Sequence, residues 1–219
     1  MTIYRITKGF TTRTERTERV LEIAETFGLG LSDRRFWVFK DLAVEVKRGD
    51  VVYITGQSGS GKSLLLRELA AQMAAEGLTV ADIDKVALDP DRALIDQVGA
   101  SMAEAIELLS RAGINDAYLA IRKPAELSDG QRYRLRLAKL LSTPADVWVA
   151  DEWGAILDRV TAKTISYNAA KLARARGVTL MVATTHTDLE EELGPDLIVT
   201  KRFQNRVELV RRSQSEVTA

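Results

Sequence analysis

Gly56-Gln57-Ser58-Gly59-Ser60-Gly61-Lys62-Ser63 is the stretch that decides the fold. It satisfies the G-x-x-x-x-G-K-S pattern completely. It also lies where that pattern needs to lie: the apolar run Val51 to Thr55 before it reads as a strand, and Leu65, Leu69 and Met73 after it repeat at helical spacing, with Gly77 placed to end the helix. Glycines let successive backbone N–H groups turn inward as an anion nest, and the start of the following helix adds its partial positive charge. Lys62 is then placed to reach the β and γ phosphates of a nucleotide, and Ser63 to offer a hydroxyl to Mg²⁺.

Outward from this loop the pattern continues as strands alternating with helices. Helical spacing returns at Met102, Ile106 and Leu109 with Gly113 as a stop, again over 128–141, and from Arg159 to about Arg176. Apolar runs at Val147–Ala150 and Val178–Ala183 read as buried strands bracketing that last helix. Such alternation implies an α/β fold with a parallel sheet covered on both faces and ligands at the carboxyl ends of the strands. Residues 1–50 differ. They show short β-like runs (Val20–Ile23, Leu42–Val46) between polar turns, which predicts an antiparallel sheet layer.

Two further stretches carry chemistry. The strand Val147–Ala150 runs into Asp151-Glu152. Carboxylates at the end of a buried strand are costly unless a cation or a proton-transfer task answers them, although a solvated strand end is the plain alternative. Beside a phosphate loop, Asp151 is expected in the Mg²⁺ shell and Glu152 as the general base that polarises the attacking water. The second stretch, Leu127-Ser128-Asp129-Gly130-Gln131, precedes a basic amphipathic helix, and Ser128 reads as its N-cap.

The order of these motifs resembles the ATP-binding cassette (ABC) ATPase family, over about residues 20–210: phosphate loop, a glutamine, L-S-x-G-Q, Asp-Glu, then a histidine. The resemblance implies one P-loop NTPase domain over 1–219. Residues 1–50 form mainly its β layer, 51–97 and 142–219 its core, and 98–141 a short helical lobe carrying the L-S-x-G-Q signature. It implies ATP and Mg²⁺ as cofactors, with Gly56, Ser58, Gly59, Ser60, Gly61, Lys62, Ser63 and Leu64 around the nucleotide. Ser63, Gln97 and Asp151 serve the metal, and Glu152 and His186 are catalytic. Ser128, Gly130, Gln131 and Asp158 face ATP held by a second ABC subunit, so the resemblance implies a head-to-tail pair, most simply a homodimer. Phe27 resembles the aromatic residue that stacks on adenine, with Phe36, Trp37 and Phe39 as competitors. Asp129, Trp153 and Gly154 depart from the family pattern, which usually has glycine at the first position and proline and threonine at the other two.

Composition bounds the partners. The 219 residues carry 31 Lys plus Arg and 31 Asp plus Glu, so no global field holds the chain on nucleic acid or an anionic membrane. Local basic residues, Arg132, Arg134, Arg136 and Lys139 among them, leave nucleic acid open as a partner, with a solvated helix face as the plainer reading. Cysteine is absent, which removes disulfides and thiolate sites and fits the cytoplasm. No apolar run approaches the about 20 residues of a membrane span, so a transporter role would place the pore in another chain. The stretch between Gln97 and Ser128 is short for a lobe that docks a membrane subunit. With the Trp153-Gly154 variation, the chain resembles the soluble ABC-type ATPases associated with acetyltransferase-like domains, which implies a separate soluble effector, an acetyltransferase-like or nucleic-acid-modifying enzyme. A membrane transporter is the alternative.

Overall fold

A computed structural model describes residues 2–202 and 206–212. In chain order the elements are β1 (Thr2–Thr12), α1 (Glu18–Phe27), β2 (Arg34–Val46), β3 (Val51–Gly56), α2 (Lys62–Ala75), β4 (Val80–Asp82), α3 (Met102–Arg111) and α4 (Ala117–Ala120). They continue with α5 (Asp129–Ser142), β5 (Val147–Ala150), α6 (Arg159–Arg176), β6 (Thr179–Thr184), α7 (Glu190–Leu193), β7 (Leu197–Lys201) and β8 (Val207–Arg211).

A six-stranded sheet in the order β4-β5-β6-β3-β7-β8 forms the centre. Its first five strands are parallel, and β8 returns antiparallel against β7. Strand periodicity divides the core between the two faces. Val51, Tyr53, Trp148, Ala150, Leu180 and Val182 pack with α3, α5 and α6 in one cluster. Val52, Ile54, Val147, Val149, Met181 and Ala183 pack on the other face, with α2 and the β1–β2 pair. Runs such as VWVA and TLMVAT are apolar at every position because both their faces are covered.

The first fifty residues carry their strands elsewhere than one of the two short β-like runs suggests. β1 and β2 pair antiparallel, with Leu42 opposite Ile6, as expected for a β layer. Val20–Ile23, however, belongs to helix α1, not to a strand. The Thr17 side chain accepts from Val20 N–H as the N-cap, and Gly28 at φ +63° closes the C-terminus. The spacing Val20, Ile23, Ala24, Phe27 is helical once read over the longer window. In the lobe, α3 also turns differently from its apolar pattern: Ala105, Leu108 and Leu109 are buried, while Met102 and Ile106 stand 65% and 56% exposed.

Candidate active site

The carboxyl ends of β3, β5 and β6 and the start of α2 enclose a cavity of about 840 Å³, the size range of small-molecule sites. The phosphate loop forms its floor. Gly56 has φ +141°, and a Cβ there would stand 2.1 Å from the Lys201 carbonyl oxygen, so the loop can leave the sheet at that point only as glycine. No side chain caps α2, whose N-cap is Gly61. Its first-turn N–H groups are therefore free to meet an anion at the positive end of the helix.

Lys62 is 8% exposed, and its ammonium donates to the Gly56 and Gln57 carbonyls, each at 2.9 Å. Burial pulls its pKa down, while the charges of Asp151 and Glu152 oppose that shift. Ser63 Oγ donates to Asp151 Oδ1 at 3.0 Å, and Arg67 lies 3.7 Å from the other carboxylate oxygen. Two hard oxygen donors thus stand side by side beneath the nest. Among the described residues no cluster of three or more His, Asp or Glu side chains gathers to cage a metal. A hydroxyl with one carboxylate is the kind of donor set that suits a Mg²⁺ sharing its remaining positions with phosphate and water. Ser60 Oγ, buried in the loop with no hydrogen-bond partner, is a further group that an anion would satisfy.

Glu152 also lines the cavity, with a left-handed backbone at φ +46°. The opposite wall is aromatic and aliphatic: Phe10, Phe36 and Val38. Phe27 is not part of it. That residue ends α1 and is 68% exposed, outside the cavity, because the helix carries it away from the sheet that positions Phe10 and Phe36. Of its competitors, Phe36 reaches the wall and Phe39 is buried among the core residues. Phe10 is the residue that sequence reasoning missed; only its pairing with Phe36 across β1 and β2, a feature of the tertiary structure, brings it to the wall.

Six other expected site residues, Gln97, Ser128, Gly130, Gln131, Asp158 and His186, lie apart from the cavity wall. Gln97 spends its amide on its own loop, accepting from Asp89 N–H at 2.8 Å and donating to the Asp89 and Arg92 carbonyls. The structure therefore does not bring it to Ser63 and Asp151. His186 follows β6, where Thr184 and Thr185 line the cavity and His186 does not. Its carbonyl accepts from Tyr53 and Thr55, and its Nε2 is buried without a partner. Burial, and then the charge of Arg159, lowers its pKa, so the ring is neutral near pH 7. Ser128 caps α5 in a capping box with Gln131, and Gly130 packs against Leu157. Asp158 caps α6 by accepting from Thr161 N–H at 2.9 Å. Asp129, the acidic departure in the signature, is held by Arg132 at 2.6 Å.

Comparison with known proteins gives this arrangement its family. The family model described as ABC transporter matches residues 39–95 and 77–155, which together span more than half of the chain. A thiamine import ATP-binding protein of Vibrio vulnificus is 31% identical over 193 residues, covering 72% of this chain and 80% of the relative. A cytochrome c biogenesis ATP-binding export protein of Nitrobacter hamburgensis is 32% identical over 179 residues, covering 69% and 86%. Among solved structures, an ATP-binding cassette determined as a dimer bound to ADP and Pi superposes with a TM-score of 0.68, covering 97% of this chain and 100% of that one at 19% identity, a likeness of fold. These relatives are named for import and export, and they lend no support to a resemblance with acetyltransferase-associated ATPases. The α/β P-loop fold, the phosphate nest and the matches to family and relatives establish that this chain belongs to the ABC transporter family, as an ABC-type ATPase.

Proposed function

We propose that this chain is the ATP-binding subunit of a membrane ABC transporter, cytoplasmic and peripheral to the membrane, working as a head-to-tail pair. The observation that carries the ATP-dependent part is the Ser63–Asp151 contact beneath an uncapped helix start, next to Glu152. Gly56, Ser58, Gly59, Ser60, Gly61, Lys62, Ser63 and Leu64 bind the phosphates, and Phe10 and Phe36, not Phe27, hold the adenine. Ser63 and Asp151 would hold Mg²⁺, which would supply charge neutralisation for the phosphates. Glu152 takes the proton of the attacking water, and His186 reaches the γ phosphate only after its buried, unpaired Nε2 turns toward the cavity. Gln97 serves the metal only after leaving its bonds to the 89–92 loop.

Neither Ser128 nor Asp158 lies in the wall of this chain's own cavity. Both mark helix starts, and both would complete a site by facing the nucleotide of a second subunit, with Gly130 and Gln131 beside Ser128. The relatives named as import and export ATP-binding proteins favour a membrane partner over a soluble one. The helical lobe adds exposed Met102, Ile106, Tyr118 and Ile121, apolar side chains suited to docking such a partner. No helix among the described residues is long and apolar enough to cross a membrane, so this reading places the membrane path in the partner.

The test is a pull-down of tagged Glu152→Gln protein with MgATP from extract that includes detergent-solubilised membranes. Recovery of a polytopic membrane protein supports the reading. Recovery of a soluble acetyltransferase-like enzyme, or of nucleic acid, in its place would overturn it.

A further inference from the structure

Trp153 and Gly154, the two departures beside Glu152, are each tied to another part of the fold. Glu152 adopts φ +46°, a left-handed conformation that a residue with a side chain keeps only when its surroundings hold it there. Trp153 supplies much of that hold. Its N–H donates to the Ala183 carbonyl at 2.8 Å, and its fully buried indole donates through Nε1 to Ser166 Oγ at 2.8 Å. Ser166 in turn donates to the Ala162 carbonyl at 2.7 Å. The carboxylate-bearing residue is thereby fixed from one side to β6 and α6.

The other side is fixed to the signature helix. Gly154, at φ +68°, donates its N–H to the Tyr133 hydroxyl at 3.2 Å. Tyr133 lies on α5, about one turn beyond Ser128 and Gly130, and burial raises the pKa of its phenol so that it stays neutral. Continuing along the loop, a Cβ added at Gly130 would stand 3.5 Å from Leu157 and 3.7 Å from the Ile156 carbonyl. The 152–158 segment therefore lies along the first turns of α5, carrying Glu152 at one end and Asp158 at the other.

We propose that Tyr133 and Trp153 are positioning residues that set Glu152 for its own nucleotide and link it to the Ser128–Gly130 turn that faces a second one. The inference rests on the proposed nucleotide roles of Glu152 and Ser128. Movement of α5 when a second nucleotide docks on Ser128 is transmitted through the Tyr133 hydroxyl to the backbone of Gly154, two residues from Glu152. Neither side chain touches ATP in this scheme. Their loss should slow water activation without weakening binding.

Tyr133→Phe keeps the ring and removes only the hydroxyl. In the full chain, steady-state turnover should fall about fivefold, the scale of one lost hydrogen bond, while the Kd for MgATP stays within about twofold and Tm moves little. Ser166→Ala, which unpairs the indole, should show the same split between kcat and Kd. Wild-type turnover in both variants would overturn the proposal. So would a joint fall in kcat, ATP affinity and Tm, which is what a merely structural role would give. Lys62→Ala run alongside separates the two levels of the argument: wild-type ATP binding in that variant would refute the nucleotide reading itself, whereas lost binding there with unchanged Tyr133→Phe kinetics refutes only the link.

Discussion

The floor of the cavity and the signature turn differ in how their polar groups are used. In the floor, Lys62 holds two carbonyls of its own loop and Ser63 meets Asp151, while Ser60 Oγ stays buried and unpaired. Every one of these groups points at a shared space, so the nest is organised before any ligand arrives. At the signature turn, Ser128 and Gln131 satisfy each other in a capping box, and Asp129 is taken up by Arg132. Those residues serve the helix first, and they lie outside the cavity that the described residues enclose. A preorganised half next to a half that needs a partner is the arrangement expected when closure of two subunits controls chemistry.

The sharpest break in that comparison is Glu152→Gln. Turnover should fall by about 10² to 10⁴-fold, the usual contribution of a positioned base, while MgATP binding persists and the ATP-bound pair accumulates. Single-turnover hydrolysis with size-exclusion chromatography measures both. Next in size is Lys62→Ala: removing the ammonium proposed to meet phosphate should weaken ATP binding by about tenfold or more, read by calorimetry. Retained affinity would mean that the nest is not the phosphate site.

Smaller effects test the other half. Ser128→Ala should cost about 1 kcal/mol of stability through loss of the cap, seen as a lower Tm, and should lower turnover more than ATP binding to the isolated subunit. Equal loss of both would place Ser128 in the cis site. For the adenine wall, Phe10→Ala should weaken ATP binding by several-fold, on the scale of about 1 kcal/mol for an aromatic contact, whereas Phe27→Ala should leave it unchanged.

The smallest effect is a pH dependence. The folded state lowers the pKa of His186 chiefly by burial, so below its ordinary value near 6.5 the unfolded chain takes up a proton that the folded one resists. Stability contributed by the neutral ring is present above that pH and is lost as pH falls toward the lower folded value. A His186→Asn variant should therefore lose slightly less Tm than wild type between pH 7 and pH 5.5.

The sequence by itself determined the phosphate loop, its flanking strand and helix, the Asp151-Glu152 strand end and the Ser128 cap, because each is a local pattern whose spacing and chemistry are contiguous. It misjudged α1, where four apolar residues in a short window fit a strand as well as a helix until the Thr17 cap and Gly28 stop are weighed. It favoured Phe27 over Phe36, Trp37 and Phe39 for the adenine and did not reach Phe10 at all. Which ring reaches a cavity depends on the pairing of β1 with β2 across a 21-residue separation and on how that pair sits over the sheet, neither of which is written in any local stretch. The use of Gln97 by the 89–92 loop, and the bond from Gly154 to Tyr133, were likewise settled only by the tertiary structure. Hydrogen bonds of that kind join residues that the chain separates, and only packing brings their donors and acceptors within reach.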